Sequence, residues 1–263
     1  MAIRCHSTTA TRRQTKVPRR RSRRHTARRP WCGAEGFAIP SVLLIRHAQA
    51  SFGTADYDVL SERGHEQVGA LVAGLQRRGI AAERVTSGAL RRQRDTAAPC
   101  AAALGLAVTV DDRWNEYDDR DILTHYSSVP AGLERHPGDD ALSSQEFQQI
   151  LSHSLRQWIA AGSDSPCREP WPRFLERLTA ALDDVTCDLE RGQTALVISS
   201  GGAIAALTVA LLGLPPNALI AFNHVSVNTG ITKLVVGRSG TTLISSNEHA
   251  HVEEADASLI SYR

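Results

Sequence analysis

Residues 41–49 read Ser41-Val42-Leu43-Leu44-Ile45-Arg46-His47-Ala48-Gln49. The run 41–45 is apolar after its serine and rich in branched side chains, with no polar residue alternating in. A strand buried on both faces has that composition, whereas a half-buried strand alternates. The run ends in a cation and an imidazole. In a parallel sheet covered by helices, ligands sit beyond the carboxyl ends of the strands. Arg46 and His47 are therefore expected at the mouth of such a sheet.

Working outward, strand and helix patterns alternate. Val68, Leu71, Val72 and Leu75 recur at helical spacing from a start at Leu60 or Ser61, and Gly79 is placed to cap that helix. A short strand is predicted at 84–86, a helix at 90–104 carrying Pro99, and a strand at 107–110. A long helix is predicted over 172–191 with Gly192 as its cap. A strand at 194–198, a helix at 203–213 and two strands near 226–236 and 241–246 complete the pattern. The expected fold is α/β, a three-layer sandwich with a mostly parallel central sheet and helices on both faces. Residues 118–170 are polar and loop-rich around a helix near 146–161, which suits a lid inserted over the mouth.

The 263-residue chain is 42% hydrophobic and 22% charged, enough to build a core. Its formal net charge of +2 hides an asymmetry. Residues 1–39 hold ten arginines and Lys16 against one acid, Glu35, while the rest has 19 basic and 27 acidic residues. Residues 1–39 read as a disordered basic tail or as the product of a misassigned start. A nucleic-acid-binding arm or a transit segment would share that composition. Residues 40–263 read as the folded domain. It is acidic, and no nucleic acid is expected on it. The five cysteines are scattered and never spaced Cys-x-x-Cys, which suits a reducing compartment and a cytoplasmic location. Residues 195–214 are apolar enough to imitate a membrane span. Ser199-Ser200-Gly201-Gly202 breaks the run and Pro215-Pro216 ends it, so a buried strand, turn and helix are expected and no membrane contact.

Three further sites fall at predicted strand ends. Arg92 follows the turn Ser87-Gly88-Ala89, where a helix start and a guanidinium would face the same mouth. Glu116 follows the strand at 107–110 and offers a carboxyl for acid–base work. The turn at Ser200 and Gly201 opens a helix whose backbone donors suit an anion. Each has an ordinary structural explanation when taken alone.

Taken together they carry more. Ile45-Arg46-His47-Ala48-Gln49, Tyr57-Asp58-x-Leu60-Ser61-x-x-Gly64-x-x-Gln67, Leu90-x-Arg92-x-x-x-Thr96-Ala97 and Trp114-x-Glu116 resemble, in order and spacing, the histidine phosphatase superfamily, the phosphoglycerate-mutase-like fold. The resemblance implies that His47 accepts the phosphoryl group and that Arg46 and Arg92 grip its oxygens. It implies that Glu116 protonates the leaving oxygen and then activates water. A small phosphorylated substrate is implied; no cofactor and no metal are. Two positions depart from the family pattern. Ala48 stands where the family has Gly, and Ser200 stands where it has a second catalytic His. Asn223, His224, Ser226 and Asn228 precede the next strand, and His224 is a candidate to fill the vacant place.

The leading expectation is a phosphatase acting on a small phosphomonoester, with Ser200 reducing its activity. The alternative is a non-catalytic member that binds phosphate or a phosphoprotein through Arg46, Arg92 and the Ser200–Gly201 turn. A phosphoglycerate mutase is less favoured, because Gln49 stands where mutases often carry Glu. Tyr117, His125 and Tyr126 are candidates for substrate contact, while Trp114, Trp158 and Trp171 read as packing groups. The doublet His249-x-His251 reads as exposed tail, and oligomeric state is not readable.

Overall fold

A computed structural model describes residues 39–51, 58–127 and 144–262. Most of the expected tail, the middle of the expected lid, and Gly53, Asp56 and Tyr57 lie outside the described residues.

Six strands form one sheet in the order β3-β2-β4-β1-β5-β6. They are β1 (Ser41–Arg46), β2 (Arg84–Ser87), β3 (Val108–Val110), β4 (Thr194–Ser199), β5 (Ile231–Gly237) and β6 (Gly240–Glu248). The first four in the sheet order run parallel, β5 adds antiparallel to β1, and β6 adds antiparallel to β5. The run at 41–45 is buried on both faces as its composition requires. Val42 and Leu44 pack into one core with Val197, Leu178 and Leu207. Leu43 and Ile45 pack into the other with Ile198, Leu71 and Cys100.

Helices α1 (Glu62–Arg77) and α2 (Arg91–Leu104) cover the second face. Ser61 caps α1 by accepting from Gly64 N, and Gly79 follows it at φ +61°. Helices α3 (Asp119–Tyr126), α4 (Ser144–Ala161), α5 (Trp171–Cys187), α6 (Gly201–Leu211) and α7 (Ala218–His224) serve the first. There Tyr117, Trp158, Trp171 and Phe174 stack edge to face or tilted, as packing groups.

Several boundaries differ from expectation. α5 stops at Cys187, so Gly192, at φ +84°, shapes the turn into β4 and caps no helix. β5 starts at Ile231, because residues 218–224 form α7 instead of leading directly into a strand. Residues 250–256 form α8 (Ala250–Asp256), so the His249-x-His251 doublet is no exposed tail. His251 is buried against α1, bonded to Thr229 Oγ1 at 3.1 Å, and burial lowers its pKa to about 4.

Candidate active site

The parallel strands end together, and the candidate site residues end or follow them. At the end of β1, His47 N donates to Ser199 O across the sheet at 2.8 Å, and His47 O accepts from Asn228 Nδ2 at 3.0 Å. The residue is 6% exposed. Its Nδ1 lies 2.7 Å from Ala48 O. A carbonyl can only accept, so Nδ1 carries the proton and Nε2 carries the lone pair. Arg92 Nε donates to that Nε2 at 3.1 Å, which agrees with the same tautomer. Burial pushes the imidazole pKa well below its ordinary 6.5, and the Arg92 and Arg46 charges push the same way. The ring is held neutral, with its unprotonated nitrogen beside a guanidinium.

Arg92 sits in the first turn of α2. Its Nη1 donates to Asp58 Oδ1 at 2.6 Å, and Asp58 Oδ2 accepts from Arg91 N at 2.7 Å. Leu90, the cap residue of α2, has no side-chain oxygen, so Asp58 supplies the missing acceptor from another segment. Thr96, one turn further, accepts from Ala48 N at 3.0 Å and so ties α2 to the His47 loop. Arg46 is 9% exposed, and its Nη1 donates to the carbonyls of Ser226 and Tyr262.

Glu116 closes the opposite side. Its Oε2 accepts from Gly202 N at 2.9 Å and its Oε1 from Tyr117 N at 3.2 Å. Burial raises its pKa, and the Gly202 amide and the Arg92 charge oppose that rise in part. A carboxyl so placed holds a proton at higher pH than a solvated one. The N-terminus of α6 therefore faces Glu116 through Gly202 and Arg46 through Gly201, where a Cβ would stand 3.3 Å from Arg46 Nε. Ser200 precedes them, fully buried, and its Oγ lies 2.9 Å from Gln93 Nε2.

His47 and Arg92 thus touch, and Arg46, Glu116, Ser200 and Gly201 gather on the same strand ends. His224 ends α7, exposed, and among the described residues no hydrogen bond joins it to His47 or Ser200. It lines a cavity of about 1170 Å³ together with Gln145, Arg156 and Tyr262. Its neighbour Asn223 faces the site instead, donating to Tyr117 OH at 3.2 Å. Of the suggested substrate contacts, Tyr117 is buried in the aromatic cluster and Tyr126 OH bonds Ser165 Oγ at 2.9 Å. His125 lies 3.8 Å from Asp121. Asp58 and Gln93 escaped sequence reasoning. Asp58 stands in a motif without an assigned role and Gln93 in no motif, and nothing local to either announces a partner so far along the chain.

The comparisons with known proteins agree with this arrangement. The family model of the histidine phosphatase superfamily (branch 1) matches residues 42–249. An Erwinia tasmaniensis protein named "Probable phosphoglycerate mutase GpmB" is 27% identical over 186 residues, covering 67% of this chain and 77% of that one. The fold matches a phosphoserine phosphatase mutant from Entamoeba histolytica bound to phosphoserine (TM-score 0.57, 17% identity, 81% of this chain and 100% of that one). It also matches a mycobacterial glucosyl-3-phosphoglycerate phosphatase (TM-score 0.54, 23% identity, 79% of this chain and 98% of that one). With His47 following β1 and bonded to Arg92, and with the family model matching residues 42–249, the chain belongs to the histidine phosphatase superfamily.

Proposed function

We propose that the protein is a phosphatase that hydrolyses a small phosphomonoester through a phosphohistidine on His47. The observation that carries this reading is the ring itself. Its Nδ1 proton is pinned on Ala48 O, so Nε2 is left free of a proton beside Arg92. In the first half-reaction the Arg92 Nε bond moves from Nε2 to a phosphoryl oxygen, the freed Nε2 lone pair attacks phosphorus, and the ester P–O bond breaks. The electron pair stays on the leaving oxygen, which takes the Glu116 proton. In the second half, the Glu116 carboxylate takes a proton from water and the water oxygen attacks phosphorus. The N–P bond then breaks, its electron pair returns to Nε2, and inorganic phosphate leaves. Arg92 and Arg46 supply the charge that phosphoryl transfer needs. Splitting one displacement into two through a covalent intermediate is the gain from a nucleophilic ring.

The test is turnover of p-nitrophenyl phosphate with radiolabel trapping on the ring. His47→Ala should abolish both turnover and an acid-labile phosphoenzyme. Turnover that survives the substitution overturns the reading. A non-catalytic phosphate binder is the second reading, and Ser200 favours it, since a hydroxyl brings no positive charge to the transition state. A positioned general acid favours the enzyme, because binding alone has no use for one. Gln49 argues against a mutase. Its carboxamide oxygen accepts from Ser61 Oγ at 2.9 Å and its backbone amide donates to Gln67 Oε1 at 2.8 Å, which spends the residue on the start of α1.

A further inference from the structure

Ser200 is the N-cap of α6, yet its side chain makes no cap bond to that helix. It is fully buried, and its hydroxyl oxygen is engaged by Gln93 Nε2 at 2.9 Å. Gln93 is also fully buried. Its Nε2 donates a second time to Trp114 O at 3.2 Å, and its Oε1 accepts from Leu90 N at 3.2 Å. The backbone carbonyl can only accept and the backbone amide can only donate. The orientation of the carboxamide is therefore fixed from both ends, and a flipped amide would break both contacts. It follows that Ser200 Oγ accepts a hydrogen bond from Gln93 Nε2. Its own proton must point elsewhere, and among the described residues no acceptor meets it. Buried hydroxyls ordinarily donate to something.

The register shows what lies on that side. Ser199 pairs with Arg46 between β4 and β1, and His47 N bonds Ser199 O. Ser200 therefore stands beside His47, one residue before the Gly201 that packs on the Arg46 guanidinium. A hydroxyl already accepting a hydrogen bond is also a better donor, since bonds in a chain polarise one another.

We propose that Gln93 is a positioning residue that holds the Ser200 hydroxyl with its proton turned toward the phosphoryl group at His47, so that a neutral donor completes this side of the anion site. The proposal rests on the phosphatase reading and adds a second component to it. The phosphoryl charge is carried by Arg46 and Arg92, and Ser200 contributes orientation and one hydrogen bond.

The test is a double-mutant cycle on the whole protein with Ser200→Ala, Gln93→Met and the pair. It is read in kcat and KM for p-nitrophenyl phosphate, in orthovanadate Kd and in Tm. Each single substitution should lower kcat/KM roughly 10- to 100-fold, mostly in kcat, as for the loss of one transition-state donor. The double variant should lose no more than the worse single. Gln93→Glu supplies an isosteric acceptor that would draw the Ser200 proton inward, and it should behave like Ser200→Ala. Losses that multiply in the double variant overturn the proposal, as does Ser200→Ala or Gln93→Glu with wild-type kcat/KM. The vanadate cycle reports the same coupling if turnover is slow, and multiplicative effects there overturn it equally. Turnover that survives His47→Ala strikes the phosphatase reading itself. Turnover that needs His47 but shows no coupling strikes this inference alone.

Discussion

At His47 and Glu116 the two pKa shifts run in opposite directions, and together they set a pH profile. On the proposed mechanism His47 attacks as the neutral ring, and its pKa lies well below 6.5, so the rate falls on the acid side only well below that pH. On the proposed mechanism Glu116 is protonated to assist the leaving group, and burial raises its pKa, so kcat/KM falls only as pH rises through that raised pKa, above the ordinary 4.5. Glu116→Gln should remove this alkaline limb and lower kcat/KM about 10²- to 10⁴-fold for an alkyl phosphate. The loss should be far smaller for p-nitrophenyl phosphate, whose leaving group needs no proton. Equal losses on the two substrates would show that Glu116 is not the acid. Asp58 gives a second residue-scale prediction. It holds Arg92 at 2.6 Å and is one-third exposed, and its charge opposes an arriving dianion. Asp58→Asn keeps an oxygen for Arg91 N and removes the charge. Inhibition by inorganic phosphate should tighten roughly two- to fivefold, the range of a partly exposed ion pair. A weaker phosphate Ki would mean that Asp58 serves by holding Arg92 in place.

Among the elements, α6 has the least tolerance, because its first turn meets both Glu116 and Arg46. A Cβ on Gly202 would collide with the Tyr117 ring and the Glu116 carboxyl. Gly202→Ala should therefore displace Glu116, costing about 1–3 kcal/mol in stability and a larger factor in kcat. Gly69, in the middle of α1, has no atom within 4 Å of its would-be Cβ. Gly69→Ala should raise stability by roughly 0.5–1 kcal/mol and leave kcat unchanged. Thermal melts and steady-state kinetics on the two variants separate clash from helix propensity. The same elements show what was legible in the chain. β1 and β4 are unbroken apolar runs, and α1 carries four apolar residues at helical spacing, so local pattern places them. α7 and α8 are seven residues each, too short to show two full turns of the helical period, so local pattern does not reveal them. At the site, Arg46, His47, Arg92 and Glu116 stood in recognisable strings at strand ends. The Gln93–Ser200 contact joins residues 107 apart, and nothing local to either marks the other.

Across the whole molecule, the mouth of the sheet is braced by the segment that follows α8. Gln67, on α1, donates to Leu259 O at 2.7 Å and to Ser261 Oγ at 2.8 Å. Ser261 Oγ donates in turn to Asn228 Oδ1 at 2.9 Å, and Asn228 N returns a bond to Ser261 O at 2.8 Å. Asn228 Nδ2 then holds His47 O, and Gln67 Oε1 holds Gln49 N. One residue on, Tyr262 O accepts from Arg46 Nη1 at 2.9 Å. A continuous chain of hydrogen bonds thus runs from α1 through the segment after α8 to the backbones of His47 and Gln49 and to the Arg46 side chain. Buried networks of this kind are rigid when complete and costly when one member is lost. Ser261→Ala leaves a Gln67 donor and a Asn228 acceptor short of a partner, so it should cost about 1–3 kcal/mol of stability. Because the network ends on the backbone of His47, it should also lower kcat at temperatures where the variant is fully folded. Ser258→Ala, at an exposed position of the same segment, is the matched control and should change neither quantity by much. Melting curves paired with kcat measured well below Tm decide the matter. A Ser261→Ala protein that melts earlier but turns over at the wild-type rate would mean that the brace supports the fold and has no bearing on how His47 is aimed.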